Sequence, residues 1–325
     1  MNTQALEIAD RLKEIFFPFA VERTNELVKR KGRFVHYTSA ANAINIFNSK
    51  QVWLRSARSM NDFMEVEHGF EYLLDYFQKN ENKNRQALYD ASDAFCKGAA
   101  EEAIKRFDQW LPTVRYETYI GCFSEHDDDE DAYGRLSMWR AYGRSSVGVA
   151  IVLNSAPFML QSDALNIFAS PVSYLSREKF HEGLDKIVSR MISEKGFLAT
   201  VPREIIINSI FSMLLFGSTC SKHPGFREER EWRVIAVPKI FPSKVLSTDI
   251  ETIDGVPQLV LKVPLRDVPD QGLVGVEISA FVDKVIIGPS NYPLPMLDAF
   301  VATLAKAGVP NAASKVTVSN IPLRT

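Results

Sequence analysis

The sequence predicts an α+β fold with small central mixed or antiparallel sheets and a large helical insertion. Short β-branched-rich segments lie towards both ends of the 325-residue chain, and the residues between them have helical periodicity. Hydrophobic residues make up 46% and charged residues 24% of the composition, as in globular proteins, so a disordered or fibrous chain is not expected. We predict a single α+β domain over 33–325, with helical insertions near 62–112 and 176–218.

The first 32 residues form a segment of their own. Apolar residues in 3–30 broadly follow a helical period, which predicts an amphipathic helix that Pro18 kinks or splits. No basic region precedes an apolar core, so a signal peptide is not expected. No apolar run reaches the length of a membrane-spanning helix, so no membrane contact is expected. The three widely spaced cysteines predict a reducing, cytoplasmic location. The N-terminal helix could mediate contacts with a second copy or with a partner protein.

Strand and helix signals alternate in the first half of the domain. Ser39 is placed to cap a helix that follows the first strand, and a polar run at 80–84 is expected to interrupt the helical region. The strand at 147–153 is apolar with little alternation, which is typical of a central strand. The predicted strands are 33–37, 51–54, 118–124 and 147–153, and the predicted helical regions are 62–110 and 135–142.

The second half begins with helices and ends with strands. Two helices are expected within 177–218, divided near Gly196 or Pro202. Pro, Gly and Asp turns separate the later strands. The predicted strands are 232–237, 259–263, 282–287 and 315–319, with a helix at 294–307.

Charge and cysteine content exclude several classes of protein. There are 38 Lys and Arg against 40 Asp and Glu, so a globally basic nucleic-acid binder is disfavoured, while a local basic patch remains open. The three cysteines are far apart, which indicates free thiols and no zinc-ligand pair. The glycine-rich dinucleotide, Walker and metalloprotease motifs do not occur.

Two early segments combine residue types that could bind a nucleotide. His36 to Ser39 place a histidine and hydroxyl groups where a strand turns into a helix, although a core histidine and a simple N-cap explain this segment, taken alone, better. Arg55 and Arg58 could bind phosphate. Asp62, Glu65 and His68 share one helix face that could hold a divalent cation. Alternatively, Asn61 or Asp62 is an N-cap and Glu65 is its capping-box partner.

Two later segments also combine residue types that could bind a nucleotide. Trp139 and Tyr142 lie three residues apart and could form an aromatic platform or could pack in the core, and Arg140 could reach a phosphate. Glu229 and Glu231 lie at the start of a strand among arginines. One of them could be an ionised carboxylate at a functional site, or both could belong to a surface ion-pair network. We expect the acidic run 127–131 to be a solvated loop.

Taken together, these segments resemble the bacterial proteins catalogued as domain of unknown function 2971. The resemblance runs from about residue 33 to 290, with Phe63 where that family usually has proline. It rests on six segments: His36-Tyr37-Thr38-Ser39, Asn61-Asp62 with Glu65, Cys122-Phe123-Ser124, Met138-Trp139-Arg140-Ala141-Tyr142-Gly143, Glu229-Arg230-Glu231-Trp232-Arg233 and Ile286-Ile287-Gly288.

A more distant resemblance connects the chain to the ADP-ribosyltransferase superfamily. The order of a histidine in the first strand, a tyrosine mid-chain and a glutamate entering a late strand is similar to that superfamily. It implies an ADP-ribosyltransferase-like core that uses NAD as a substrate. Catalytic roles then fall to Glu231, Glu229, His36 and Tyr142, and NAD binding to His36, Tyr37, Thr38, Ser39, Arg55, Arg58, Trp139 and Arg140, with no metal ligand.

The function that follows is an enzyme that uses NAD or another nucleotide, with protein, nucleic acid or water as acceptor. A role in phage defence or as a toxin-type effector is a further expectation from the resemblance. Two alternatives stay open. The first is a non-enzymatic protein that senses a nucleotide or another ligand, and the second is a metal-dependent nuclease that uses Asp62, Glu65 and His68.

Overall fold

The computed structural model describes residues 3–59, 64–78, 82–142, 147–160, 164–253 and 255–322. Its sheet contains ten strands, both parallel and antiparallel, so the predicted mixed α/β architecture is confirmed with a larger sheet than expected. The strands are β1 Arg33–Ser39, β2 Gln51–Ser56, β3 Tyr119–His126, β4 Gly148–Leu153, β5 Phe168–Pro171, β6 Glu231–Ala236, β7 Ser247–Ile253, β8 Val256–Pro264, β9 Val282–Ile287 and β10 Val316–Val318.

Twelve α-helices accompany these strands in the described residues. Helices α1 and α2 meet at Pro18, so the predicted split of the N-terminal helix is confirmed. The helices are α1 Thr3–Phe16, α2 Pro18–Lys29, α3 Ala40–Ser49, α4 Met64–Gln78, α5 Lys83–Asp93, α6 Ala99–Tyr116, α7 Leu136–Tyr142, α8 Arg177–Ser193, α9 Lys195–Leu198, α10 Arg203–Thr219, α11 Ile278–Phe281 and α12 Pro293–Lys306. No helix of the described residues is long and apolar enough to span a bilayer.

The chain divides into two compact units. The helical unit comprises Met1–Glu26, Ala57–Thr118 and Ser170–Arg227, and the sheet unit comprises Leu27–Ser56, Tyr119–Ala169 and Glu228–Thr325. The two helical insertions expected from sequence fall within the helical unit.

Helix α10 organises the helical unit. Its buried residues lie around most of its circumference, as expected for a helix whose apolar residues are not confined to one face. Helices α4 and α6 pack against it. Gly69 on α4 allows a close crossing, because a Cβ there would lie 2.1 Å from the carbonyl oxygen of Ser218.

The sheet unit is ordered β10-β9-β4-β1-β3-β2-β8-β7, and β6 also pairs with β3. Strands β9 and β10 are parallel, while β1, β2, β3, β4, β6 and β8 form antiparallel pairs. Every residue of β4 is buried, so its predicted central position is confirmed. The larger apolar core includes Phe34, Phe123 and Trp232, and a smaller one includes Tyr37 and Trp139.

Several sequence predictions needed correction. Strand β7 was not expected, because its exposed residues lack the apolar alternation of a half-buried strand, and β8 begins at Val256, earlier than the predicted residue 259. The acidic run forms a short 3-10 helix at Asp128–Ala132.

Candidate functional site

Two strands share one edge of β3 and separate from each other along it. Strand β6 pairs with β3 from Tyr119 to Ser124 on one edge. On the other edge, β1 pairs with the C-terminal part, beginning at Ser124, and β2 pairs with the N-terminal residues Tyr119 and Ile120. Because a strand has only two edges, β1 and β2 share this one, and they separate between Ile120 and Ser124.

His36 lies where β1 leaves β3. Its Nδ1 is 3.1 Å from the carbonyl oxygen of Cys122, within the unpaired stretch of the β3 edge. A carbonyl oxygen only accepts, so Nδ1 carries the proton and Nε2 is left as an acceptor. Burial lowers the pKa of the His36 imidazole despite this hydrogen bond, so the side chain is neutral at neutral pH.

Glu231 and Arg233 form an ion pair inside the sheet unit. The Arg233 Nε donates to Glu231 Oε1 over 2.8 Å, and the two side chains are 0% and 4% exposed, respectively. Both alternate to the same face of β6, opposite Cys122 and Ser124 of β3. A glutamate, an arginine, a serine hydroxyl and a thiol therefore share one small area of the sheet.

Strand register decides which predicted site residues share a face. Val35 is opposite Ser124, so Val35 and Tyr37 lie on the face that carries Glu231 and Arg233. His36 alternates to the other face, where its ring lies 5.5 Å from that of Phe123. His36 and Glu231, to which the ADP-ribosyltransferase resemblance assigns catalytic roles, therefore lie on opposite faces of the sheet.

Tyr37 and Trp139 are packed against each other. Their ring centroids are 5.0 Å apart in an edge-to-face arrangement, and both side chains are buried. The Trp139 Nε1 donates to the Tyr133 carbonyl oxygen, and the Arg135 backbone N–H donates to the Tyr37 hydroxyl. Burial raises the pKa of that hydroxyl. Both side chains therefore pack in the interior, which for Trp139 is the second of the two interpretations that the sequence allowed.

Thr38 and Ser39 end β1. Thr38 is buried, on the same face as His36 by alternation. The Ser39 hydroxyl accepts from the Asn42 N–H at 3.2 Å, so its capping role is confirmed.

Arg55 and Arg58 fall in different units. In the sheet unit, the Arg55 Nε donates to Gln258 Oε1 over 3.2 Å. In the helical unit, the Arg58 guanidinium lies 5.1 Å from the ring centroid of Tyr116, a cation–π arrangement.

Arg140 and Tyr142 are among the exposed residues of α7. Met138 and Trp139 point into the core, whereas Arg140 is exposed and Tyr142 is 41% exposed. Gly143 lies outside the described residues.

The residues before β6 are held by a set of ion pairs. The backbone of Arg230 has φ of 46°, a left-handed conformation that is unusual for a residue with a side chain. Its guanidinium binds Asp127 and Glu125, and Arg135 donates to the carbonyl oxygens of Glu228 and Glu229. Glu229 is thereby fixed through its backbone, at the end of a 3-10 helix over Pro224–Glu229.

The acidic run was expected to be a solvated loop, and most of it is ion-paired instead. We call the paired residues the acidic-turn cluster. Asp131 binds Lys284, His126 and Arg33, which lower the pKa of its carboxyl although burial opposes them. Its members are Arg30, Arg33, Glu125, His126, Asp127, Asp128, Glu130, Asp131, Arg135, Arg230 and Lys284. The sequence signals for it were the acidic run itself and the arginines beside Glu229 and Glu231.

The proposed metal site cannot be assembled from the described residues. Asn61 and Asp62 lie outside them, as does the side chain of Glu65. His68 packs on Tyr72, with ring centroids 4.2 Å apart. No group of three histidine, cysteine or acidic side chains suited to a metal occurs in the described part of the chain.

A family model described as protein of unknown function (DUF2971) matches residues 138–234. The matched segment runs from α7 to β6 and contains Trp139, Tyr142, Glu229, Glu231 and Arg233. It supports the resemblance to that family over this part of the chain. No curated protein and no solved structure matches the chain. ADP-ribosyl transfer therefore stays a prediction.

Proposed function

We propose that the chain is a nucleotide-using enzyme of the ADP-ribosyl-transfer type, with NAD as its substrate and Glu231 as the catalytic carboxylate. The observation that supports this proposal is the buried Glu231–Arg233 pair opposite Ser124. Replacing a buried ion pair by apolar side chains is often neutral or stabilising, so such a pair is poorly explained by stability alone. A catalytic role of Glu231 would explain why this pair is buried in the sheet unit.

The chemistry requires a fixed negative charge near the ribose. When the bond between nicotinamide and the ribose C1′ breaks, nicotinamide leaves with the bonding electrons and the sugar acquires oxocarbenium character. An ionised carboxylate stabilises that cation, and a nucleophile of the acceptor then bonds to C1′ and loses its proton. Arg233 would keep Glu231 ionised, and the Ser124 hydroxyl would orient it.

The roles of the other candidate residues follow from the exposure of their side chains and from the face of the sheet on which they lie. Tyr142 would stack on nicotinamide and Arg140 would pair with the diphosphate, because both side chains are exposed. His36 lies on the opposite face, so we assign it to positioning β3 through the Cys122 carbonyl. Trp139 and Tyr37 would support α7 and β1 from within the core.

One observation favours a second candidate. The Glu231 carboxylate is only 4% exposed and is ion-paired. A buried, paired carboxylate is also suited to a protein that binds a nucleotide and senses it without turnover. Both candidates require nucleotide binding, and they differ in whether NAD is consumed.

A nicotinamide-release assay tests the proposal with matched variants. Glu231→Gln keeps the shape and removes the charge, and we expect a loss of at least about a hundredfold in rate. Glu229→Gln is the control two residues away, and its effect should be milder. Binding of NAD, measured by calorimetry, should survive in both variants.

Three outcomes would redirect the assignment. Equal turnover in wild type and Glu231→Gln would remove Glu231 from the mechanism. Tight NAD binding without turnover in any protein would favour the sensor. Cleavage of nucleic acid that a chelator abolishes would favour the nuclease that the sequence left open.

A further inference from the structure

No strand of the described residues pairs with the outer edge of β7, so this edge is an open end of the sheet. Strand β7 is last in the strand order, and β8 is its partner over the full length of Ser247–Ile253. All seven residues are exposed or half-buried. Natural edge strands are commonly short, bulged or interrupted by proline, which prevents pairing with another chain. Strand β7 is regular and contains no proline, so its edge remains able to accept a further strand.

The backbone groups on this edge can be identified. The Ile250 N–H donates to Oδ1 of Asp249 at 2.9 Å, so it is directed away from the β8 ladder. Alternate residues of an antiparallel strand direct their backbone groups to the same edge. Thr248, Ile250 and Thr252 therefore present the outward N–H and C=O groups of β7.

The two faces of β7 differ in chemistry. Ile250 is 66% exposed and lies opposite Leu259, which is 52% exposed, so the two form an apolar pair in solvent. Asp249 and Glu251 occupy the other face, where Lys262 binds them at 2.7 and 2.6 Å. The Lys262 ammonium lowers the pKa of the Asp249 carboxyl, with help from the Ile250 N–H. The two carboxylates are the charged groups nearest the open edge, because Lys262 lies on β8 and Arg55, which shares this face, lies on β2.

These charges discriminate between occupants. If a second copy paired antiparallel about Ile250, Asp249 of one chain would lie opposite Glu251 of the other, and like charges opposite each other are destabilising. A strand with basic residues at alternate positions would place them opposite Asp249 and Glu251 and its apolar residues beside Ile250. In this register the edge therefore favours a basic strand over a second copy.

We propose that the outer edge of β7 binds an extended segment of a partner protein in which lysine or arginine alternates with aliphatic residues. The segment adds an antiparallel strand, so backbone hydrogen bonds supply affinity and alternate side chains supply selectivity. On binding, the Ile250 N–H exchanges the Asp249 carboxylate for a carbonyl oxygen of the segment. This interaction is independent of the function proposed above.

Fluorescence polarisation with the full chain tests the proposal. The probe is a labelled peptide of about eight residues with alternating lysine and valine. A peptide of the same composition, with its lysines and valines in two blocks, is the peptide control. We expect the alternating peptide to bind at least about tenfold more tightly, and amide exchange to slow at Thr248, Ile250 and Thr252.

Three variants separate the contributions. Thr252→Pro removes an outward N–H and should abolish binding, while Glu251→Gln should weaken it about threefold to tenfold. Asp270→Asn removes an exposed carboxylate elsewhere in the sheet unit and should change nothing. Equal binding of both peptides, or unchanged binding by Glu251→Gln, overturns the proposal. A wild-type dimer that Thr252→Pro converts to a monomer would also overturn the proposal, because the strand bound at the β7 edge would then belong to a second copy of the chain.

Discussion

His36 is the residue whose environment has the clearest consequence for pH dependence. Burial lowers the pKa of its imidazole from the ordinary value of 6.5, and burial also lowers that of His126. At pH values between the lowered pKa and 6.5, the imidazole binds a proton in the unfolded chain but not in the folded chain. The free energy of unfolding should therefore fall as pH drops below about 6.5, by at most about 1.4 kcal/mol per pH unit for each histidine.

Urea unfolding at about pH 7.5 and about pH 5.5 measures this loss. His36→Gln retains an N–H donor for the Cys122 carbonyl and cannot titrate, so the difference between the two pH values should shrink. His223→Gln, at an exposed position, is the matched control and should keep the wild-type difference. An unchanged difference in His36→Gln would contradict the assigned cause.

At the scale of elements, the crossing of α4 and α10 depends on Gly69. Because a Cβ at this position would lie 2.1 Å from the Ser218 carbonyl oxygen, Gly69→Ala should destabilise the protein by about 1–3 kcal/mol. Gly183 in α8 has no neighbouring atom within 4 Å of its would-be Cβ, so Gly183→Ala should instead stabilise by about 0.5–1 kcal/mol. Thermal melts of both variants compare the same chemical change in two environments, and a loss of stability in both would argue against the steric explanation.

The start of β6 stores backbone strain at Arg230. Arg230→Ala removes the ion pairs with Asp127 and Glu125 and keeps the left-handed conformation, whereas Arg230→Gly removes the ion pairs and relieves it. The glycine variant should therefore be more stable than the alanine variant by about 1 kcal/mol in urea titrations.

Arg227 provides the matched control for this comparison. It is exposed in the preceding 3-10 helix and has no positive φ, so alanine should equal or exceed glycine there. The same order of stabilities at both positions would show that strain at Arg230 is not the cause.

For the whole molecule, local charge matters more than the net charge of −2. If Arg140 and neighbouring cations attract a nucleotide, its affinity should fall between about 50 mM and about 500 mM salt, because salt screens the attraction. Calorimetric titration of NAD should also show weaker binding by Arg140→Ala, while Lys306→Ala, exposed at the end of α12, should bind as wild type. Affinity that is insensitive to salt and to Arg140→Ala would exclude this anion site.

The sequence by itself determined the elements whose signals are local. Helical periodicity and Pro18 located α1 and α2, Ser39 marked the start of α3, and the unbroken apolar run located β4. The motifs in 138–234 likewise indicated the family whose model matches that segment. These signals can be recognised in the sequence because they depend on residues only a few positions apart in the chain.

Only the tertiary structure decided which side chains meet. His36 and Cys122 are 86 residues apart, and their hydrogen bond exists because β1 and β2 share one edge of β3. Strand register placed Glu231 beside Ser124 and turned His36 to the other face, and a shift of one residue would have reversed that choice. Long-range pairing, which no local pattern encodes, likewise buried Trp139 and joined the acidic run to distant arginines.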